Sequence, residues 1–70
     1  MINFNSDINL LKDAILKREI IENILVKTSG GYHVVTGSIA YFYDYEYAFY
    51  FEGYSFNLDI DEILGFILIE

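Results

Sequence analysis

His33 is the only histidine in the chain and the first residue to consider for acid–base chemistry. A histidine can act as a general base when a nucleophile or a carboxylate lies within hydrogen-bonding reach. The sequence around His33 shows no such partner. The chain has no cysteine, which excludes thiolate catalysis, disulfides and cysteine-ligated metal centres. We therefore predict an ordinary histidine at the start of a strand, and a protein that is not an enzyme.

Asp59, Asp61 and Glu62 form the densest acidic group in the sequence. Such a group could hold a divalent cation or act as an acid–base pair. The calcium loop of an EF-hand needs a longer segment with a central glycine and a terminal glutamate, and this segment does not fit that spacing. We predict that the three carboxylates lie on a solvated helical turn, with no metal and no cofactor.

The Gly30-Gly31 pair invites comparison with phosphate-binding loops. Those loops need a following lysine and the N-terminus of a helix, and the sequence supplies neither. Glycine reaches positive φ without a steric penalty. The pair is therefore predicted to form a tight turn.

An aromatic run over residues 39–51 must position most of the remaining side chains. Its odd-numbered positions, from Ile39 to Phe51, are all apolar or aromatic, whereas Asp44 and Glu46 occupy even positions. A period of two is typical of a half-buried β-strand, because alternate side chains leave opposite faces. The run is longer than most strands, so it is predicted to fold back as a hairpin.

The loop of this hairpin sets which side chains share a face. A three-residue loop at 44–46 keeps Tyr41 and Tyr43 on the same face as Tyr47 and Phe49. A two-residue turn would place Glu46 on that face instead, and burial of an unpaired carboxylate is costly. We therefore predict the three-residue loop.

The other elements follow from local patterns. Ile8, Leu11, Ile15 and Leu16 recur at helical spacing after the capping residues Ser6 and Asp7, which predicts a helix at about 7–18, with an end as late as residue 22 left open. Strands are predicted at about 23–28, 32–43, 47–52, 54–58 and 64–69, with a 3₁₀ turn at 59–63. An isolated glycine at position 37 predicts a bulge or a sharp bend. The last strand is mostly apolar, which predicts a central strand or one covered on both faces.

These elements define the predicted fold. It is a single α+β domain over residues 1–70, in which an N-terminal helix precedes a five-stranded antiparallel, strongly bent sheet. Residues 1–10 lack a basic, apolar leader, and no window is long and apolar enough to cross a membrane. Together with the absence of cysteine, this predicts a cytoplasmic protein.

Charge is the most informative functional feature of the sequence. Residues 1–27 carry four acids and four bases, whereas residues 28–70 carry seven acids and no base, so the net charge of −7 belongs to the predicted sheet. Such a field repels nucleic acid and anionic membranes and attracts basic surfaces. The predicted partner-binding residues are Asp44, Tyr45, Glu46, Tyr50, Glu52, Tyr54, Asp59, Asp61 and Glu62.

The tyrosines of the aromatic run allow three interpretations. Core filling is the first, and a protein-binding patch is the second, since tyrosine buries area while it keeps a polar tip. The third is a platform on which nucleic-acid bases stack, but such platforms come with basic grooves. The absence of lysine and arginine after residue 27 disfavours the third interpretation.

The order of elements resembles the small Sm-like and SH3-like barrels, and the segment 55–66 looks like the closing segment of Rof-type Rho inhibitors and YolD-like proteins. Gly31, Gly37, Ile39 and Asp44 are similar to the first Sm motif with longer spacing, and the Arg-Gly dipeptide of the second motif is absent. The Rof resemblance implies a small acidic binder of an RNA-handling enzyme. The Sm resemblance implies an RNA-binding ring subunit.

The sequence thus predicts a small acidic module that binds a basic, nucleic-acid-handling protein and occludes its nucleic-acid-binding surface. An inhibitor encoded by a phage, acting as a nucleic-acid mimic, fits this size and charge. Direct binding to nucleic acid or membrane is not expected. An RNA-binding Sm-like ring subunit and a structural or assembly subunit are the alternatives, and homo-oligomerisation is left open.

Overall fold

A computed structural model describes residues 3–43 and 46–69. Helix α1 spans Ile8–Arg18, and the Asp7 side chain caps it by accepting a hydrogen bond from the Asn9 N–H at 3.1 Å. Both the helix and its cap are confirmed. The chain leaves the helix at Glu19, where φ is 68°, and the Glu19 N–H donates to the Ile15 carbonyl. The helix therefore stops well before residue 22.

In the described part of the chain, five strands follow the helix. They are β1 (Ile20–Thr28), β2 (Gly31–Phe42), β3 (Glu46–Glu52), β4 (Asn57–Leu58) and β5 (Gly65–Leu68), with a 3₁₀ turn at Ile60–Glu62 before β5. All pairings are antiparallel, in the order β4-β3-β2-β1-β5. The predicted α+β class with a five-stranded antiparallel sheet is confirmed. Strand β1 begins three residues earlier than predicted, and β4 is shorter because Tyr54 and Ser55 belong to a bend.

The sheet does not close into a barrel over the described residues, since its edge strands β4 and β5 do not pair with each other. The free side of β5 is occupied at one point by Asn5, whose N–H and carbonyl bond to the carbonyl and N–H of Phe66 at 3.0 and 2.9 Å. The prediction that the last strand is central is therefore wrong. Its start is nevertheless covered on both faces, because Phe66 is 5% exposed on the core side and its neighbour Gly65 is buried beside Phe4.

Gly37 marks close packing rather than a bulge. Its pairing with Ile21 of β1 and Phe51 of β3 is regular, and the register shift lies in β1 between Ile21 and Ile24. There Asn23 takes a positive φ of 59°. The prediction of a bulge at Gly37 is thus wrong, and the irregularity belongs to the neighbouring strand.

The core lies between α1 and one face of the sheet, which we call the core face. Leu11 and Ile15 of the helix are fully buried there against Ile24, Val35 and Phe51. Leu16 points away from this cluster and is exposed. The opposite side of the sheet is called the outer face, and no helix among the described residues packs on it.

The β2–β3 hairpin extends past the helix. Tyr41 pairs with Tyr47 and Ile39 pairs with Phe49, so the prediction that Tyr41, Tyr47 and Phe49 share a face is confirmed. The predicted loop at 44–46, however, was placed one residue too late, because Glu46 already belongs to β3 and pairs with Phe42. Tyr43 lies in the turn with φ of 49° instead of in the strand.

Candidate protein-binding surface

Three of the predicted binding residues lie on one face of β3. Glu46, Tyr50 and Glu52 are separated by even spacings, so their side chains all leave the outer face, and all three are exposed. We call these three residues the outer strip. Their cross-strand neighbours on β2 include Ser38 opposite Tyr50 and Thr36 opposite Glu52. These two neighbours are small and polar, whereas Glu46 lies opposite Phe42, which is itself 42% exposed.

Tyr54 extends the outer strip beyond the end of β3. It lies in the bend between β3 and β4, and its side chain is fully exposed. Tyr54 and Glu52 line a groove of about 370 Å³, together with Val34 and Thr36 of β2. One acidic and one aromatic side chain thus flank a shallow depression with both polar and apolar walls. This arrangement suits a partner side chain that carries both a cation and an aliphatic stem.

The acids at 59–62 belong to a different part of the surface. Ile60 packs against the core and Ile63 is buried in it, so the 3₁₀ turn lies on the core side of the sheet. Glu62 Oε1 accepts a hydrogen bond of 3.4 Å from the Asp59 N–H, which caps the turn. The predicted binding residues are therefore divided between two regions. Asp44 and Tyr45 fall outside the described residues.

The described tyrosines do not fill the core. Tyr41, Tyr43, Tyr47, Tyr50 and Tyr54 all remain exposed, from 41% at Tyr50 to complete exposure at Tyr54. The core-filling interpretation is wrong for these residues. Aliphatic residues, Phe51 and Phe66 fill the core instead, and they leave the phenol rings available at the surface.

Two of these tyrosines continue the core face past the end of the helix. The rings of Tyr41 and Tyr47 meet edge to face with 6.1 Å between their centroids, and Tyr47 meets Phe49 in the same way at 5.6 Å. Such edge-to-face pairs are a preferred aromatic geometry. They give the far end of the hairpin an ordered aromatic face without a covering element among the described residues.

The outer face also carries apolar side chains that sequence reasoning did not assign to a surface. Leu25 is half-buried, and Val34, its partner on β2, is 52% exposed. A second groove of about 410 Å³ lies beside them and is lined by Phe4, Leu25, Lys27 and Tyr32, with the rings of Phe4 and Tyr32 stacked at 5.4 Å. The signal in the sequence is the run of three apolar residues at 24–26, because consecutive residues of a strand direct their side chains to opposite faces.

The remaining candidates have structural roles. His33 pairs with Val26 within β2–β1, and its ring lies 5.0 Å from the ring of Phe56. Thr28 Oγ1 accepts from the Gly30 N–H at 3.2 Å, and Gly31 has φ of 125°, which confirms the predicted turn. The described part of the chain contains no group of three or more potential metal ligands.

Comparison with family models, curated proteins and solved structures finds no match to this chain. The resemblance to Rof-type inhibitors and YolD-like proteins therefore stays a prediction. Within 3–43 and 46–69, no helix is long and apolar enough to cross a membrane.

Proposed function

We propose that this protein is a small, non-enzymatic, cytoplasmic module that docks on a basic surface of a nucleic-acid-handling protein and occludes that surface. The observation that carries the proposal is the outer strip, where Glu46, Tyr50 and Glu52 share one exposed face. It lies in a half of the chain that holds seven acids and no base.

Charge and aromatic content would serve different steps of the interaction. The acidic field draws a basic partner toward the sheet and raises the rate of encounter. Tyr50 and Tyr54 then supply contact area, because a tyrosine buries a large ring at a low entropic cost. The acids at 59–62 lie away from the outer strip and contribute to the field rather than to direct contact.

Occlusion of a nucleic-acid site is the outcome that this charge favours. A surface that binds phosphates is basic, and carboxylates spaced along a strand present it with the same sign of charge. For the same reason the module itself should not retain RNA, as a ring subunit of Sm type would. An RNA filter-binding assay at moderate salt separates the two functions.

The test uses matched charge reversals and the native partner. Glu52→Lys and Asp13→Lys each change the net charge from −7 to −5, since each replaces −1 with +1. Asp13 is exposed on α1, outside the outer strip. Wild-type protein and both variants are used to capture partners from a lysate of the source organism at about 0.05 M and about 0.5 M salt.

We expect basic proteins to be retained by the wild type and by Asp13→Lys, lost with Glu52→Lys, and released at the higher salt. The purified partner should then lose its affinity for nucleic acid when the wild-type module is added. Equal loss with both variants would show that only the net charge matters. Retention that is insensitive to salt and to both variants would refute the proposal.

A further inference from the structure

The edge of β3 is only partly covered by β4. Strand β4 pairs with Phe51 and Glu52 alone, and among the described residues β2 is the only strand that pairs with Glu46–Tyr50. Five residues of β3 therefore have a second edge that no described strand occupies. A strand edge of this kind is a template for pairing with another extended segment.

The backbone groups on this edge can be identified from the hydrogen-bonding pattern. The Gly53 N–H donates to the Phe56 carbonyl, so Gly53 directs its backbone groups toward β4. Backbone groups alternate in direction along a strand, and the even residues of β3 therefore direct theirs toward β2. The Ile39 N–H, which donates to Glu19 on the β1 side of β2, agrees with this alternation. The free N–H and carbonyl groups are thus those of Tyr47 and Phe49.

The side chains along the edge differ between the two faces. Tyr47 and Phe49 point to the core face, where their rings are in edge-to-face contact at 5.6 Å. Glu46 and Tyr50 point to the outer face, and Glu52 follows on the same side. An added strand along Glu46–Tyr50 would therefore meet aromatic rings on one face and the Glu46 carboxylate on the other, with Glu52 just beyond the end of the free edge.

We propose that this edge binds an extended segment of the basic partner, in which basic residues alternate with apolar residues. The apolar residues lie opposite Tyr47 and Phe49 and exchange backbone hydrogen bonds with them, while the basic residues share the outer face with Glu46 and Glu52. Main-chain bonds supply affinity in this mode, and alternate side chains supply specificity. The inference rests on the proposed function and names the form of the partner's binding segment.

A second copy of the chain is a poorer occupant of the same edge. Antiparallel pairing of two β3 strands about Ala48 would bring Glu46 and Glu52 of both copies onto one face, between molecules that each carry a net charge of −7. Like charges on neighbouring strands are destabilising. A basic segment offers the opposite charge at the same positions.

The test uses a capped peptide of alternating lysine and valine with two backbone-methylated forms. Methylation of the backbone nitrogens of the valines removes the N–H donors that face Tyr47 and Phe49. Methylation of the backbone nitrogens of the lysines changes N–H groups that point away from β3, and this peptide is the matched control. Affinity for the full-length protein is measured by NMR titration, and protection of the Tyr47 and Phe49 amides is measured by hydrogen exchange.

We expect the unmodified and lysine-methylated peptides to bind and to protect both amides, and the valine-methylated peptide to bind about tenfold more weakly or worse. Equal, salt-sensitive binding of all three peptides without amide protection would overturn strand addition and leave docking by charge intact. Absence of binding by any peptide would overturn strand addition, while the partner capture described above tests the proposed function independently. Amide protection that rises with protein concentration alone would identify a second copy as the occupant and would also overturn the inference.

Discussion

At the scale of single residues, Gly37 shows how three elements converge on one position. A Cβ atom built there would lie 2.8 Å from Ile24 Cδ1 of β1, 3.0 Å from Ile15 Cδ1 of α1 and 3.3 Å from Phe51 Cε1 of β3. The absence of a side chain lets the helix and two strands pack directly over the backbone of β2. The glycine is therefore part of the core.

Gly37→Ala should lower the free energy of unfolding by about 1–3 kcal/mol, because the added methyl group forces neighbouring side chains out of place. Ile24→Val removes the nearest clashing atom, so the cost of Gly37→Ala should be smaller in that background. Urea denaturation of the two single variants and the double variant measures this coupling.

Gly30→Ala is the matched control for Gly37→Ala. A Cβ atom at Gly30 would lie 3.7 Å from Thr28 Oγ1, an ordinary contact distance. Its effect on stability should stay within about 0.5 kcal/mol. Equal destabilisation by both glycine substitutions would point to a general backbone effect and not to the core contact.

At the scale of secondary structure, the sequence predicted the features that depend on residues close together in the chain. The Asp7 cap and the buried positions Leu11 and Ile15 predicted α1, and the period of two in the aromatic run predicted the shared face of Tyr41 and Tyr47. The order of strands was not predictable in this way. The edge position of β5 depends on contacts with residues far away in sequence, and its apolar pattern alone suggested a central strand.

The end of α1 at Arg18 agrees with the predicted range of about 7–18, but the sequence could not exclude an end as late as residue 22. Helices often end on a glycine at positive φ, whereas this one ends on Glu19 at φ of 68°. A non-glycine residue pays a steric cost in that region. The carbonyl of Glu19 accepts a hydrogen bond from the Ile39 N–H at 3.2 Å, which helps to hold the strained residue in place.

Replacement of Glu19 by glycine should relieve this strain. Glu19→Ala removes the same carboxylate while keeping the steric cost, so it is the appropriate reference. We expect Glu19→Gly to be more stable than Glu19→Ala by about 1 kcal/mol, even though glycine gains entropy in the unfolded state. The midpoint of urea denaturation measures the difference. A more stable alanine variant would show that residue 19 carries no backbone strain.

At the scale of the whole molecule, composition predicted the charge imbalance but could not place the charges. The sequence grouped nine binding residues into one surface. The fold puts Glu46, Tyr50 and Glu52 on the outer face and assigns Asp59, Asp61 and Glu62 to the turn on the core side. The first three residues share a face because they occupy alternate positions of β3, and the other three lie on the core side because the chain passes there between β4 and β5. The free edge of β3 likewise depends on β4 being only two residues long.

The same imbalance should make the stability of the protein depend on salt. Seven acids and no base in residues 28–70 repel one another in the compact state. Salt screens exposed charges over about 8 Å at physiological ionic strength, so the free energy of unfolding should rise by about 1 kcal/mol between low and high sodium chloride.

A triple variant, Glu46→Gln, Glu52→Gln and Asp61→Asn, changes the net charge from −7 to −4 and replaces only exposed side chains. This variant should be more stable than the wild type at low salt and less sensitive to added salt, in thermal and urea denaturation alike. Lys17→Gln, which raises the magnitude of the net charge to −8, should respond more strongly to salt than the wild type. An equal response from all three proteins would show that general salt effects on the apolar core, rather than repulsion across the sheet, govern the stability.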